Sequence, residues 1–231
     1  KPYSHSSRVH EYGGMAYGIS GDSLYFVNAS DQRIYKTGLD GENEPRPITG
    51  LSLQRFADLT IDRKNQRLIA VCEEHGGDNG EQEPENYLVA ISLSASLNSN
   101  NPSVIKLRSG ADFYAYPRIS PDQTTLCWIQ WQHPNMPWDC TQLWQATINA
   151  DGSLSESNLV AGDNNNESIF QPQWSPDNQL YFVSDRNNWW NIYRAENGSC
   201  TPILEIATEF ATPLWQFGMS TYDFIDAQTI G

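Results

Sequence analysis

The residues that could act as a catalytic nucleophile are serines in short glycine-containing stretches. An α/β-hydrolase holds its serine in Gly-x-Ser-x-Gly, where the glycines permit a sharp turn from a strand into a helix. No stretch of the chain fits this pattern: "GMSTY" at 218–222 has Tyr222 in place of the second glycine, and "GDSLY" at 21–25 has no glycine after its serine. The sequence therefore predicts no catalytic residue in this chain.

Metal chemistry has one candidate, an acidic stretch around a histidine. The four histidines are scattered, without a His-Glu-x-x-His zinc motif: His5, His10, His75 and His133. A metal could be held by His75 with Glu73, Glu74 and Asp78. However, the stretch lacks the turn glycine of a calcium loop at its sixth position, and acidic runs are usually solvated. We expect neither a metal ion nor another cofactor.

The elements that must position functional residues follow a repeated pattern. Four turns carry an aspartate just before an apolar run, 40, 60 and 55 residues apart: Asp22, Asp62, Asp122 and Asp177. The last two turns read Ser-Pro-Asp, in which proline presets the turn and aspartate bonds to the nearby backbone. The runs that follow are "LYFVN", "LIAVC", "LCWIQW" and "LYFVS". One structural unit therefore recurs four times.

Each copy predicts four short strands, one before the turn and three after it. The alternating apolar residues are rich in aromatic and β-branched side chains, which favours strands over helices. A four-stranded unit recurring about every 40–60 residues is typical of a β-propeller blade, with tandem β-sandwiches as the alternative. We predict an all-β, partial β-propeller of four blades and the start of a fifth: residues 12–50, 56–110, 113–162, 170–206 and 215–231.

The loop between the second and third strands varies most among the copies. It is longest in copies two and three, which insert "EEHGGDNGEQEPEN" and "QHPNMPWDC". In an antiparallel blade this loop and the connection to the next blade emerge at the same edge. Loops held by a rigid scaffold are where function is usually found. We therefore expect a functional face that gathers Tyr114, Trp138, Trp189, Trp190 and Trp215.

The fifth copy consists of one strand and a turn before Gly231. An open set of blades would leave unpaired strand edges, which proteins usually avoid. We therefore expect this chain to be a fragment of a longer protein.

Charge and cysteine content exclude several classes of partner. The chain has 14 Lys and Arg against 28 Asp and Glu, a formal net charge of −14. Such acidity disfavours nucleic acid and anionic membranes, and no apolar run is long enough to span a bilayer. The cysteines form no Cys-x-x-Cys pair, so we expect reduced structural thiols and a cytoplasmic location: Cys72, Cys127, Cys140 and Cys200.

Four longer stretches resemble one known family. They are "SRVHEYGGMAY", "YPRISPDQTTLCWIQWQHPNMPWDCTQLW", "SPDNQLYFVSDRNNWWNIYR" and "EFATPLWQFGMSTY". These strings resemble the propeller of the prolyl oligopeptidase family, in its acylaminoacyl-peptidase and dipeptidyl-aminopeptidase-like branch. The resemblance covers essentially the whole chain and is strongest at 8–17, 116–144 and 174–194.

The resemblance implies a two-domain serine peptidase. In that family a propeller, commonly seven-bladed, caps an α/β-hydrolase domain that carries the Ser, Asp and His triad. The propeller restricts access, so that short peptides reach the site and folded proteins do not. This chain departs from the pattern in having about four and a half blades and no hydrolase domain. We therefore expect it to be inactive alone, with the hydrolase domain and short peptides as its partners.

The resemblance also suggests which residues of the loop face contact a peptide. If this face lines the peptide cavity or contacts the hydrolase domain, the polar and aromatic candidates are Arg8, Glu11, Trp138 and Asp139. An acid beside a peptide amine, or an arginine beside a peptide carboxylate, would be a charge-assisted anchor. The sequence leaves amine capture and carboxylate capture both open.

Two other functions fit a propeller of this kind. A TolB-type propeller binds proteins and catalyses nothing. A lactonase-type propeller uses a central calcium ion held by acidic and amide side chains, but the acidic residues here lie mostly in the outer insertions.

Overall fold

The structure is a computed structural model that describes residues 3–76, 83–94, 104–163, 166–196 and 198–231. Within these residues every regular element is a β-strand, and no helix is present that is long and apolar enough to cross a membrane. The chain divides into two compact units, residues 1–110 and residues 111–231.

The first unit contains two four-stranded antiparallel sheets, each with its strands in chain order. The first sheet consists of β1 (Tyr17–Ser20), β2 (Ser23–Val27), β3 (Ile34–Gly38) and β4 (Arg46–Pro47). The second sheet consists of β5 (Gln54–Asp62), β6 (Arg67–Glu74), β7 (Glu85–Ser92) and β8 (Val104–Arg108).

The second unit repeats this arrangement. Its first sheet consists of β9 (Phe113–Ile119), β10 (Thr125–Trp131), β11 (Gln142–Thr147) and β12 (Asn158–Ala161). Its second sheet consists of β13 (Ile169–Trp174), β14 (Leu180–Ser184), β15 (Asn191–Glu196) and β16 (Ser199–Pro202). A two-stranded ribbon follows, β17 (Phe224–Asp226) and β18 (Thr229–Ile230). The expected four-stranded antiparallel units are confirmed.

The inner strands of each sheet supply the hydrophobic cores. All residues from Leu68 to Cys72 in β6 are completely buried, as are those from Leu126 to Ile129 in β10. A strand buried on both faces reads as a continuous apolar run rather than an alternating one, which accounts for "LIAVC" and "LCWI". Within the first unit, β1 lies against β5, and within the second, β9 lies against β13.

The aspartate turns join the first and second strands of the sheets, as predicted. In the fourth copy the Ser175 hydroxyl donates to the Asp177 carboxylate and accepts the Gln179 backbone N–H at 3.0 Å. In the third copy the Ser120 hydroxyl donates to Asp122 at 2.6 Å and accepts the Thr125 N–H at 3.0 Å. The repeated Ser-Pro-Asp letters thus encode a turn closed by its own side chains.

The first strand of three sheets contains a β-bulge that the sequence did not reveal. The antiparallel register shifts by one residue within β5, β9 and β13. A residue of positive φ lies at each bulge: Asp58 at 54°, Tyr116 at 51° and Gln171 at 46°. The two ends of each strand therefore follow different registers against the second strand, and the bulge decides which residues face each other near the loop end.

Candidate functional site

The first unit holds a strained turn at residues 8–14, the segment before β1. His10 and Glu11 both have left-handed backbone, with φ of 52° and 63°. Gly13 also has positive φ, 63°, and a Cβ there would lie 2.1 Å from the Ser7 carbonyl oxygen, so only glycine fits. Consecutive non-glycine residues at positive φ are uncommon and are found preferentially at functional sites.

The guanidinium of Arg55, at the start of β5, holds this turn in place. Its Nη1 lies 2.7 Å from Glu11 Oε1, 3.1 Å from the Arg8 carbonyl oxygen and 3.3 Å from Glu73 Oε1. The hydrogen bond from Arg55 lowers the pKa of the Glu11 carboxyl. Glu11 is therefore an oriented carboxylate, and its side chain remains 74% exposed.

Glu73, at the end of β6, anchors the other side of this cluster. Its side chain is only 6% exposed, and its Oε2 accepts the His10 backbone N–H at 2.8 Å. Its Oε1 lies 2.6 Å from Nε2 of His75. Burial lowers the pKa of the His10 imidazole, against the opposing effect of the Glu73 charge. The strained turn is thus fixed by ionic contacts from β5 and β6.

The structure brings Arg8 and Glu11 together on this turn. The Arg8 backbone donates to the Gln32 amide oxygen at 2.8 Å, its side chain is exposed, and its charge contributes to lowering the pKa of Glu11. Sequence reasoning did not find Arg55, and it named Glu73 only as a possible metal ligand beside His75. The charges of Arg55 and Glu73, on two neighbouring predicted strands, were a signal. Only the register of these strands shows that both residues reach the segment "SRVHEYGG".

In the second unit, Trp138 lies against Trp215. Their ring centroids are 4.5 Å apart and the rings are tilted by 46°, which forms an aromatic pair on the loop edge. Trp215 is 49% exposed. The Asp139 carboxylate, in contrast, accepts the Met136 backbone N–H at 2.9 Å and so closes the turn that carries Trp138.

The other residues expected on the aromatic face divide between the surface and the core. Trp189 is 40% exposed and lies with Trp190 in the loop before β15. Tyr114 is fully buried, and its hydroxyl accepts the Ala111 N–H at 3.0 Å. Including Tyr114 in that face was therefore wrong, because its position in β9 directs the side chain into the interior of the unit.

Glu167 and Arg186 form a second ionic cluster that sequence reasoning missed. Glu167, only 3% exposed, accepts hydrogen bonds on Oε1 from Arg186 Nη2 at 2.6 Å, Arg186 Nε at 3.0 Å and the Ser184 hydroxyl at 2.6 Å. The guanidinium carbon of Arg186 lies 4.8 Å from the Tyr193 ring centroid. The Arg186 guanidinium is thus held between the buried Glu167 carboxylate and the Tyr193 ring.

A pocket of about 410 Å³ opens beside this ion pair. It is lined by Asn166, Asp185, Arg186, Asn188, Trp190 and Glu209. These residues come from the connection before β13, the β14–β15 loop and the segment after β16, so second-to-third-strand loops and connections meet at one edge within this unit.

The described residues contain no group placed to hold a metal ion, and the serine nearest to a nucleophile motif has no base among its hydrogen-bond partners. Among them no three His, Cys, Asp or Glu side chains are grouped so as to hold a metal ion, and Asp78 of the acidic stretch lies outside the described residues. The serine of "GMSTY", Ser220, lies 2.9 Å from the Gln171 amide nitrogen and 3.2 Å from the Tyr222 carbonyl oxygen. These contacts stabilise the segment before β17 and include no base that could activate the hydroxyl.

Comparisons with known proteins give strong matches among solved structures. A puromycin-hydrolyzing peptidase of Mycobacterium tuberculosis matches 96% of the chain with 34% identity and a TM-score of 0.87. A puromycin hydrolase matches 96% of the chain with 31% identity and a TM-score of 0.88. The chain spans 35% of the length of each of these proteins.

More distant matches show the fold alone. TolB of Acinetobacter baumannii, for example, has 16% identity and a TM-score of 0.51. No family model and no curated protein sequence matches the chain. The solved structures confirm the predicted partial β-propeller and the resemblance to peptidases with such a propeller.

Proposed function

We propose, from the premise that this chain belongs to the prolyl oligopeptidase family through its propeller portion, that it is the non-catalytic part of a serine peptidase acting on short peptides. The observation that carries the proposal is the match of 96% of the chain, at 34% identity, to about a third of a puromycin-hydrolyzing peptidase. In this proposal an α/β-hydrolase domain supplies the chemistry, and the propeller docks on it and restricts access. The dipeptidyl and acylaminoacyl modes of cleavage are the two variants that the resemblance suggests.

The geometry of the strained turn favours amine capture over carboxylate capture. Arg55 already contacts two carboxylates, Glu11 and Glu73, so its charge is satisfied within the chain. The Glu11 carboxylate is exposed and held by Arg55 through Oε1. An ammonium group on Oε2 would complete a charge-assisted contact without displacing any described bond. Glu11 is therefore our proposed anchor for a peptide amine, with Arg8 as the competing carboxylate anchor.

The tryptophan pair suits a different part of a peptide. Trp138 and Trp215 present rigid aromatic area, which binds apolar side chains at little entropic cost. Asp139 supports this surface by fixing the turn beneath Trp138. In our proposal Asp139 is a positioning residue, and Trp138 is the one that contacts the peptide.

The peptidase assignment is tested with the complete natural gene product. We expect it to cleave short chromogenic peptides but not folded proteins, and a serine-directed fluorophosphonate to abolish the cleavage. The 231-residue chain alone should not cleave. Absence of peptide cleavage by the complete product, or cleavage by the 231-residue chain alone, would contradict the proposal. The first result would favour a TolB-like binding scaffold instead.

The Glu11 anchor is tested by kinetics of Glu11→Gln in the same product. Losing a charge-assisted contact should raise KM about tenfold for peptides with a free amine and leave kcat unchanged. Nα-acetylated peptides should show no change. Glu42→Gln, an exposed carboxylate in the β3–β4 loop, is the matched control. An unchanged KM for Glu11→Gln, with a raised KM for Arg8→Gln on peptides with a free carboxylate, would reverse the assignment.

We also propose a cytoplasmic location, because the cysteines suit a reducing compartment. Burial raises the pKa of Cys72 and of Cys127 to about 12, so both remain unreactive thiols at neutral pH. Cell fractionation followed by thiol labelling under denaturing conditions tests this. Recovery outside the cytoplasm, or with oxidised cysteines, would overturn it.

A further inference from the structure

The loop that carries Trp138, between β10 and β11, ends against the connection that leads into β13. The Thr141 backbone N–H donates to the Glu167 carbonyl oxygen at 2.9 Å, and the Thr141 hydroxyl accepts the Ile169 N–H at 2.6 Å. Thr141 is completely buried, so these bonds are shielded from water. The loop and the connection therefore meet through a buried, hydrogen-bonded contact within the second unit.

Ser168 extends this contact to the residue just before Trp138. Its hydroxyl donates to the Pro137 carbonyl oxygen at 3.1 Å, and Ser168 is only 1% exposed. A proline has no backbone N–H, so this carbonyl is the one group through which the backbone of Pro137 can be hydrogen-bonded. The carbonyl also lies in the planar peptide unit that includes the nitrogen and Cα of Trp138. Fixing it therefore fixes the point from which the indole side chain extends.

The backbone of Ser168 is itself held in place. Its N–H donates to the Asp185 carboxylate at 2.7 Å, and its carbonyl oxygen accepts the Asp185 N–H at 3.3 Å. The preceding residue, Glu167, is bonded through its carboxylate to Arg186. The backbone of Ser168 is thus anchored beside the end of β14, and its hydroxyl is the group that bonds the loop.

The position of Trp138 matters because its partner ring comes from another segment. Trp215 follows β16, and the two ring centroids lie 4.5 Å apart with the planes tilted by 46°. Favourable aromatic pairs have centroid separations of about 4.5–7 Å, so this pair is at the close end of the range and a shift of the Trp138 backbone would change its geometry. Asp139 closes the turn from within the loop, and Ser168 anchors the loop from outside.

We propose that Ser168 is a positioning residue: through the Pro137 carbonyl it fixes Trp138 against Trp215, and so it sets the affinity for peptides that carry a large apolar side chain. The positioning concerns this chain alone, whereas the effect on affinity rests on the proposed function. The role requires the hydroxyl, because the backbone of Ser168 is held independently by Asp185. Removing the hydroxyl should loosen the aromatic surface and leave the fold of the unit in place.

The first test is a spectroscopic signature of the tryptophan pair. Two indole rings in contact at an oblique angle couple their electronic transitions, which gives two circular-dichroism bands of opposite sign. In the complete natural gene product, the difference between the wild type and Trp138→Phe isolates this signal from that of the other tryptophans. We expect Ser168→Ala to lose most of the same signal, because the Pro137 carbonyl is left without its donor and the loop can move.

The second test is a split between KM and kcat in the same product. The substrates are a short chromogenic peptide of alanine residues and the same peptide with one alanine replaced by phenylalanine, at each position in turn. For Ser168→Ala we expect the KM of the best phenylalanine peptide to rise about fivefold, the scale of one lost aromatic contact. Its kcat should stay unchanged, because the contact is made equally in the bound substrate and the transition state. The alanine peptide should show no change in either constant.

Ser175→Ala is the control for a general loss of stability. Ser175 is a buried serine of the same unit, with 0% exposure against 1% for Ser168. Its hydroxyl bonds Asp177 and the Gln179 N–H in the turn that joins the other ends of β13 and β14. Ser175→Ala should lower the thermal midpoint as Ser168→Ala does, yet leave the tryptophan signal and the KM values unchanged.

Three results would overturn the positioning role. They are no signal in the difference spectrum of Trp138→Phe, an unchanged signal in Ser168→Ala, and an equal loss of signal in Ser175→Ala. A lost signal with an unchanged KM would uphold the positioning and overturn the effect on affinity. If the product cleaves no peptide, the proposed function fails, and the spectra still decide the positioning role.

Thermal melting, compared with the wild type, establishes that each variant is folded. If Ser168→Ala is not, Ser168→Cys serves, because a thiol resembles a hydroxyl in shape but donates only weakly. In that case an unchanged tryptophan signal overturns the proposal.

Discussion

The two units contain the same cross-strand ion pair with the residue types exchanged. In the first unit Arg55 of β5 lies opposite Glu73 of β6. In the second, continuing the register of Ile169 with Ser184 places Glu167 opposite Arg186, at the loop ends of β13 and β14. In both pairs the carboxylate is buried, with side-chain exposures of 6% and 3%. In these two sheets, an ion pair between an arginine and a buried glutamate joins the first two strands at the loop edge.

The surroundings of the two pairs differ. Arg55 has a second carboxylate, Glu11, and the pair carries a strained turn that presents this acid to solvent. Arg186 has one carboxylate within bonding distance among the described residues, and its other neighbours are the Tyr193 ring and a pocket. The comparison shows that an ion pair at a strand end is a support, and that the loops around it decide whether it orients a side chain or borders a cavity.

The largest expected effect comes from breaking the second pair. Glu167→Gln leaves the Arg186 charge without a carboxylate partner beside aromatic rings. We expect the free energy of unfolding to fall by about 3 kcal/mol, the low end for a broken buried pair, because Arg186 is 28% exposed. Urea denaturation followed by tryptophan fluorescence measures this. Replacing both residues by methionine should cost less than the single change, and a larger cost would contradict the account of a stranded charge.

Breaking the first pair should cost less, because Arg55 keeps a partner. In Glu73→Gln the amide oxygen can still accept the His10 N–H, and Arg55 retains its contact with Glu11. We expect a fall of about 1.5 kcal/mol in the free energy of unfolding, which is the scale of one hydrogen bond to a charged group. The same denaturation experiment applies, with the double variant Glu73→Gln/Glu11→Gln. A double variant no less stable than Glu73→Gln would show that Glu11 does not compensate.

The smallest expected effect is a pH dependence confined to the first unit. Burial lowers the pKa of His10 in the folded protein below its ordinary 6.5. As the pH falls, His10 therefore takes up its proton in the unfolded chain before it does so in the folded protein. His10 thus lowers the free energy of unfolding below about pH 6.5, and the effect grows until the pH reaches the pKa of His10 in the folded protein. His10→Asn, which tolerates positive φ, should flatten the stability profile between pH 7 and pH 5. His5→Asn, at an exposed histidine of the same unit, should not, and equal profiles for His10→Asn and wild type would contradict the prediction.

The sequence indicated candidate site residues only where the signal lies within one continuous segment of the chain. Arg8, Glu11 and Trp138 were named as candidates because their segments lie on the expected loop face and resemble the family's propeller, and they stay a prediction. Arg55, Glu167 and Arg186 were missed, and Glu73 was named only as a possible metal ligand, because each acts through a partner on another strand.

By itself the sequence determined the repeated turns, the four-stranded units and the edge at which their loops emerge, since these depend on alternation and turn chemistry among near neighbours. Only the tertiary structure decided which charged residues meet. Counting back from the turn between β5 and β6 would pair Arg55 with Glu74, but the bulge at Asp58 shifts the register by one residue and brings Glu73 opposite Arg55 instead. A one-residue shift moves a side chain to the other face of its strand, and no local pattern in these letters marks where that shift occurs.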